Sequence, residues 1–220
     1  MKSKIIYELS EETLEKDIDS FIKEAKKGRY SWDSKYENEG LKIIKQYFKI
    51  LKEKFKNNEF EECKICYEKL ILFCLEESDC DRDEDLFSYE DLLARINNDF
   101  DQFIKNYFIC LVKTCYIEEL AERVSRYASR LGDSGFDSDK EVLLKNLSKE
   151  QLKDIEEKML AKTIGMTKKD EDKQEIIYFL MNLAEVQEDK EKYLKLCERF
   201  KGILSDEDFA YLKEEYCEDE

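Results

Sequence analysis

Apolar residues recur along this chain at spacings of three and four. Short polar breaks separate the runs, and that rhythm predicts a succession of α-helices. The first is expected over residues 11–27, where Leu14, Ile18, Phe21, Ile22 and Ala25 share one face and Gly28 offers a C-terminal stop. A second covers 34–56 with Tyr36, Ile43, Ile44, Tyr47, Phe48, Leu51 and Phe55 on its apolar face, and Asn57-Asn58 ends it. A third covers 60–76 and runs into an acidic loop at 77–87. Ser88, with Asp91 three residues on, caps a long helix whose stripe Leu93, Ile96, Phe100, Phe103, Tyr107 and Leu111 is wide enough for several neighbours. Further helices are expected at 117–131, 140–147, 149–162, 171–186, 189–201 and 206–217. Ser138 with Glu141 and Ser148 with Gln151 read as capping boxes, and Gly132, Gly165 and Gly202 as stops.

The pattern gives an all-α chain of about ten helices, at least two-thirds helical, with no sheet. Composition agrees. There is no proline and there are only six glycines in 220 residues, too few for the turns of a β-rich fold. Thirteen Phe, thirteen Tyr and one Trp supply the apolar area that a disordered chain lacks. No linker rich in Gly, Ser or Pro divides the sequence, so residues 1–220 read as one helical-repeat domain with a weak sub-boundary near 132–139.

Two segments point to helical hairpins stacked as an irregular α-solenoid. In 56–63 a short polar turn leads to Phe60 and Cys63, followed by Tyr67 and Leu70, the shape of a tetratricopeptide-like turn. Residues 186–193 repeat that shape, with Tyr193, Cys197 and Phe200 in the corresponding places. The two lie about 130 residues apart with no strict 34-residue period, so the repeats are irregular.

Four features occur in order: Gly28-Arg29-Tyr30-Ser31-Trp32, the hairpin around Asn58, Glu77-Ser78-Asp79-Cys80-Asp81-Arg82-Asp83 before a long helix, and Gly135-Phe136-Asp137 before short ones. Together they resemble the tetratricopeptide-like helical region of bacterial SWIM-type zinc-finger proteins and related helical families of unknown function, over residues 20–215. The finger of that family needs a Cys-x-Cys and a Cys-x-His pair. This chain has no histidine and no Cys-x-Cys, so the resemblance implies the helical scaffold without the metal site.

Charge and missing residue types narrow the function. The formal net charge is −16, which repels nucleic-acid phosphates and anionic membranes unless the 38 basic residues gather on one face. No direct nucleic-acid or membrane partner is therefore expected. No run approaches the ~20 apolar residues of a membrane span, and residues 1–9 hold no signal-peptide core, so a cytoplasmic location with reduced thiols is expected. The absence of histidine removes Ser–His and Cys–His nucleophile systems and every histidine-containing zinc site.

Three local features have a chemical reading beside a packing one. Cys63-Lys64-Ile65-Cys66 has CxxC spacing, but Cys63, Cys66, Tyr67, Leu70, Ile71 and Cys74 fall on one helical stripe, so buried thiols are expected and no metal. Residues 79–90 place Asp79, Asp81, Asp83 and Glu90 at EF-hand ligand positions, but Glu84 stands where the sharp turn requires glycine. That loop is expected to hold calcium weakly or not at all. Arg29, Tyr30 and Trp32 have the composition of a partner-binding hot spot and equally of a core edge with a stacked guanidinium. No catalytic residue and no cofactor can be named. The expected function is a non-catalytic protein-interaction or scaffold module for a partner with a basic surface. The alternative is an acidic inhibitor that mimics nucleic acid and occupies a basic cleft.

Overall fold

The computed structural model describes residues 9, 11–30, 35–78, 96, 100–131 and 136–204. Among them the regular structure is entirely α-helical: nine helices, no strand, and a helical fraction of 77%, above the two-thirds expected. Chain contacts gather into two compact units, 1–114 and 115–220.

The first unit holds α1 (Leu14–Ala25), α2 (Glu37–Lys56), α3 (Phe60–Ser78) and α4 (Phe100–Thr114). Helix α1 begins later than the apolar pattern suggested, because Thr13 is the N-cap and accepts a hydrogen bond from the Lys16 amide. In the turn after it Gly28, with a φ of 81°, lets the Arg29 amide reach back to the Glu24 carbonyl. Helices α1 and α3 run parallel: Lys69 of α3 pairs with Glu15 and Asp19 at 2.9 and 2.7 Å, and Glu76 pairs with Lys26. A tight turn joins α2 to α3. Helix α4 runs antiparallel to α3, the Asn106 side chain donating to the Tyr67 hydroxyl at 3.3 Å and Lys113 lying over the Phe60 ring. Phe48 stacks on Phe103 at 4.1 Å between centroids and meets Phe100 edge-on. These rings, with Leu51, Leu70 and Ile104, form the core.

The second unit holds α5 (Ile117–Ala128), α6 (Asp137–Asn146), α7 (Lys149–Lys162), α8 (Glu171–Val186) and α9 (Lys190–Phe200). Helices α5 and α7 run parallel, tied by Glu118–Lys158 and Glu122–Lys162. Helix α8 runs antiparallel to α5, with Arg130 paired to Asp172 and Tyr127 edge-on to Phe179. Each unit thus contains a parallel pair with one helix between them in sequence.

The caps divide. Ser148 and Gln151 form the expected capping box. Ser138 does not cap: α6 starts at Asp137, three residues earlier than the pattern suggested, with Phe136 extended at the N-cap position and Ser138 buried inside the first turn. Gly165 takes a φ of 72°, whereas Gly202 is not left-handed and α9 ends through Lys201 in right-handed geometry. Tyr36, expected on the apolar face of α2, sits at that helix's N-cap and is exposed, because α2 begins only at Glu37.

The two turns singled out in the sequence share one backbone geometry. Asn58 and Glu188 both have left-handed φ, 63° and 57°. After them the Glu59 amide donates to the Lys54 carbonyl at 3.1 Å, and the Asp189 amide to the Ala184 carbonyl at 2.9 Å, the long bond of a Schellman motif. Behind each turn, Cys63, Tyr67 and Leu70 on α3 and Tyr193, Cys197 and Phe200 on α9 are all buried.

Candidate interaction site

The segment that follows α1 divides between core and surface. Tyr30 is 4% exposed, its ring stacked on Phe21 at 5.0 Å, and Phe21 meets Tyr47 and Phe73 edge-on. Burial raises the Tyr30 hydroxyl above its ordinary pKa although the Arg29 guanidinium opposes the shift. Tyr30 is therefore a packing residue of the first unit. Arg29 stays near the surface, with its guanidinium 5.5 Å from the Tyr30 ring centre and 5.4 Å from that of Tyr36. Lys35 covers Tyr36 at 4.8 Å. The exposed part of this corner is Arg29, Lys35 and Tyr36. Trp32 lies outside the described residues. The sequence reading missed Lys35 and Tyr36; the signal available was that a tyrosine preceding the first helical residue has no helical face to bury.

Residues Asp79, Asp81, Asp83 and Glu90 of the calcium-like loop also lie outside the described residues, as do Ser88 and residues 205–220. Among the described residues no group of three or more cysteine and carboxylate side chains is placed to hold a metal ion.

The CxxC cysteines face the core. Cys63, Cys66 and Cys74 on α3 and Cys110 on α4 are fully buried free thiols. Cys63 hydrogen-bonds with Cys110, which lowers the Cys63 pKa and raises that of Cys110, and lies 3.8 Å from the Leu51 carbonyl. Burial pushes the Cys66 thiol up to about 12, which disfavours the thiolate needed for redox or metal chemistry.

Six charged side chains are buried among the described residues, and none was visible as such in the sequence; Lys64 pairs with Glu61 of its own helix, Glu68 is also on α3, and the other four link helices. Asp17 accepts from the Tyr47 hydroxyl at 2.8 Å and from the Glu11 amide at 3.1 Å, joining α1 to α2. Asp139 accepts from the Tyr127 hydroxyl at 2.9 Å and pairs with Lys140 at 3.2 Å. The Lys140 ammonium also donates to the Phe136 carbonyl at 2.7 Å and sits over the Phe179 ring, so the pair ties α6 to α5 and α8. Glu156 on α7 pairs with Lys192 of α9 and accepts from the Gln187 side chain at 3.3 Å. Each of these four groups joins one helix to another.

Charge is unevenly spread along the sequence. Residues 79–95 carry seven acids against two arginines, and residues 205–220 carry eight acids against one lysine. Twelve of the sixteen excess negative charges therefore belong to these two stretches. The rest of the chain is close to balanced. The sequence matches no protein-family model, no curated protein and no solved structure. No described helix is long and apolar enough to cross a membrane.

Proposed function

We propose that this protein is a non-catalytic interaction module, built of stacked helical hairpins, that binds a protein partner with a basic surface. The observation that carries the reading is the use made of buried ionisable groups. Asp17, Asp139, Lys140 and Glu156 each tie one helix to another, so these buried charges serve the scaffold, and exposed helix faces remain to meet other molecules. The acid-dense stretches at 79–95 and 205–220 attract a basic partner and speed encounter through their field. The likeness to the helical region of SWIM-type proteins fits a scaffold role, because the finger that would add a metal site has no residues here.

The test is affinity capture followed by binding of the identified, purified partner across a salt series. Affinity should fall steeply between roughly 50 and 300 mM salt, because exposed charges are screened over about a Debye length. Replacing Asp206, Glu207, Asp208, Glu214 and Glu215 by Asn and Gln should weaken binding mainly through the on-rate. A partner whose binding ignores both salt and these substitutions, or turnover of a substrate by the purified chain, overturns the reading.

A further inference from the structure

Helix α2 departs from the rest of the molecule in its charge. Lys42, Lys45, Lys49, Lys52 and Lys56 are all exposed, and they recur at spacings of three, four, three and four. At 100° per residue they fall within about 80° of arc, and at 1.5 Å per residue they form a row about 21 Å long. Elsewhere many surface lysines have a carboxylate partner, as in Lys16–Glu12, Lys27–Glu24, Lys145–Glu141, Lys153–Glu157 and Lys195–Glu191, and exposed ones without an ion pair, such as Lys23, Lys149, Lys168 and Lys169, form no row. Within the row only Lys56 has such a partner, Glu53 at 2.8 Å, which Lys49 and Lys52 also influence at longer range, while Lys54 on another face of α2 pairs with Glu59 and Glu62. Lys42, Lys45, Lys49 and Lys52 make no ion pair or hydrogen bond among the described residues. Like charges at these spacings repel and weaken a helix, so folding alone gives no reason for the row.

We infer that the α2 lysine row is a binding face for the sugar–phosphate backbone of nucleic acid. The composition of the row separates this from other polyanions. A protein interface is organised around aromatic or arginine anchors, and lysine is depleted there; the row contains neither anchor. A membrane-surface helix must bury an apolar face in lipid, but Ile43, Ile44, Tyr47, Phe48 and Leu51 of α2 are committed to the core. Lysines acting as mobile point charges suit a regular series of phosphates and read no bases. The net charge does not forbid this contact, since it is a sum over the whole chain and exposed charges are screened beyond about 8 Å at physiological salt. The inference is independent of the basic-partner reading, which rests on the acidic stretches at 79–95 and 205–220 and not on α2.

The experiment is fluorescence anisotropy of the full chain with labelled 20-base-pair duplexes of two unrelated sequences, from 20 to 200 mM KCl. Both duplexes should bind alike. With about four phosphates neutralised, log K should fall against log salt with a slope near −3.6, a loss of roughly two orders of magnitude between 50 and 200 mM. Lys45→Gln with Lys49→Gln should reduce that slope by about two. Changing Lys42, Lys45, Lys49 and Lys52 to Glu should abolish binding with an unchanged circular dichroism spectrum. If the fourfold variant unfolds, the slope of the Gln double variant decides. The inference is overturned by no binding at 20 mM KCl, by a slope that the Gln variant leaves unchanged, or by a strong sequence preference. Binding to phosphatidylserine vesicles or to polyglutamate without binding to duplex overturns it equally.

Discussion

Lys140→Met tests the logic of the buried ties most directly. The side chain of Lys140 is 2% exposed, and its ammonium lies 3.2 Å from Asp139, which is itself fully buried. Methionine has nearly the same volume, so the change removes the charge without opening a cavity. The Asp139 carboxylate then keeps only the Tyr127 hydroxyl at 2.9 Å and the residue-140 amide at 2.5 Å. Leaving one member of a buried pair uncompensated costs about 3–5 kcal/mol. For a chain of this size that lowers Tm by about 6–20 °C. The pH dependence fixes the cause. Burial already holds the Asp139 carboxyl above its ordinary 3.8, with Lys140 the largest opposing influence. A raised folded pKa means that the native state keeps its proton to higher pH than the unfolded chain. Stability therefore falls as pH rises from 3.8 through the folded value and is flat above it. Without Lys140 that window extends upward, so the deficit of the variant should be largest near pH 7.5 and shrink towards pH 5. Adding Asp139→Asn should restore most of the loss, because removing both charges of a buried pair is often neutral. Thermal melts at both pH values, followed by circular dichroism, measure all three chains. A deficit under about 1 kcal/mol at pH 7.5, a deficit equal at both pH values, or no recovery in the double variant would refute the argument.

Three further outcomes are expected. Tyr30→Ala should cost about 3–5 kcal/mol in urea unfolding, as for other buried aromatics, whereas Arg29→Ala should stay within about 0.5 kcal/mol. Glu188→Gly should stabilise by up to about 1 kcal/mol, since a left-handed φ of 57° strains a glutamate and suits glycine; a loss in the same assay contradicts the turn geometry. Among the six described cysteines, the half-buried Cys115 should react first with a thiol reagent under native conditions and Cys66 among the last, as mass spectrometry of the modified peptides would show.

What the sequence disclosed follows from the range of the physics involved. Helices α3, α7 and α8 start where apolar spacing and polar breaks place them, because those signals are local. The Ser148–Gln151 box is local too, and it was legible. Ser138 misled because the same local pattern fits two starts, and the contacts that decide between them are distant: Asp139 with Tyr127, and Lys140 with Phe179. Asp17 was hidden for a related reason. A lone acid on an apolar helix face reads as a surface residue until Tyr47, thirty residues away, supplies its hydrogen bond. The lysine row on α2 was readable in principle, since 3-4-3-4 spacing is visible in the sequence. What could not be read was that four of its members make no ion pair or hydrogen bond among the described residues, which depends on what the neighbouring helices bring.

The two hairpin turns share a backbone geometry but not their side chains. Asn57 and Gln187 donate to carbonyls four residues back, Asn58 and Glu188 to carbonyls three back, and Glu59 and Asp189 to carbonyls five back. Cys63 and Tyr193 then donate to the carbonyls of Glu59 and Asp189, so four bonds recur at a constant offset of 130 residues. The side chains at these places share almost nothing: Asn stands against Glu at the left-handed position, and Cys against Tyr on the first buried turn. Backbone hydrogen bonds require only an accessible φ and a carbonyl at the right distance, so many residues satisfy them at a cost of about 1–2 kcal/mol when the residue is not glycine. Packing behind the turn requires volume more than identity, since a core tolerates exchange when its total volume is kept. The hairpin is therefore constrained at the level of geometry, and a search for residue identity at a fixed period passes over it.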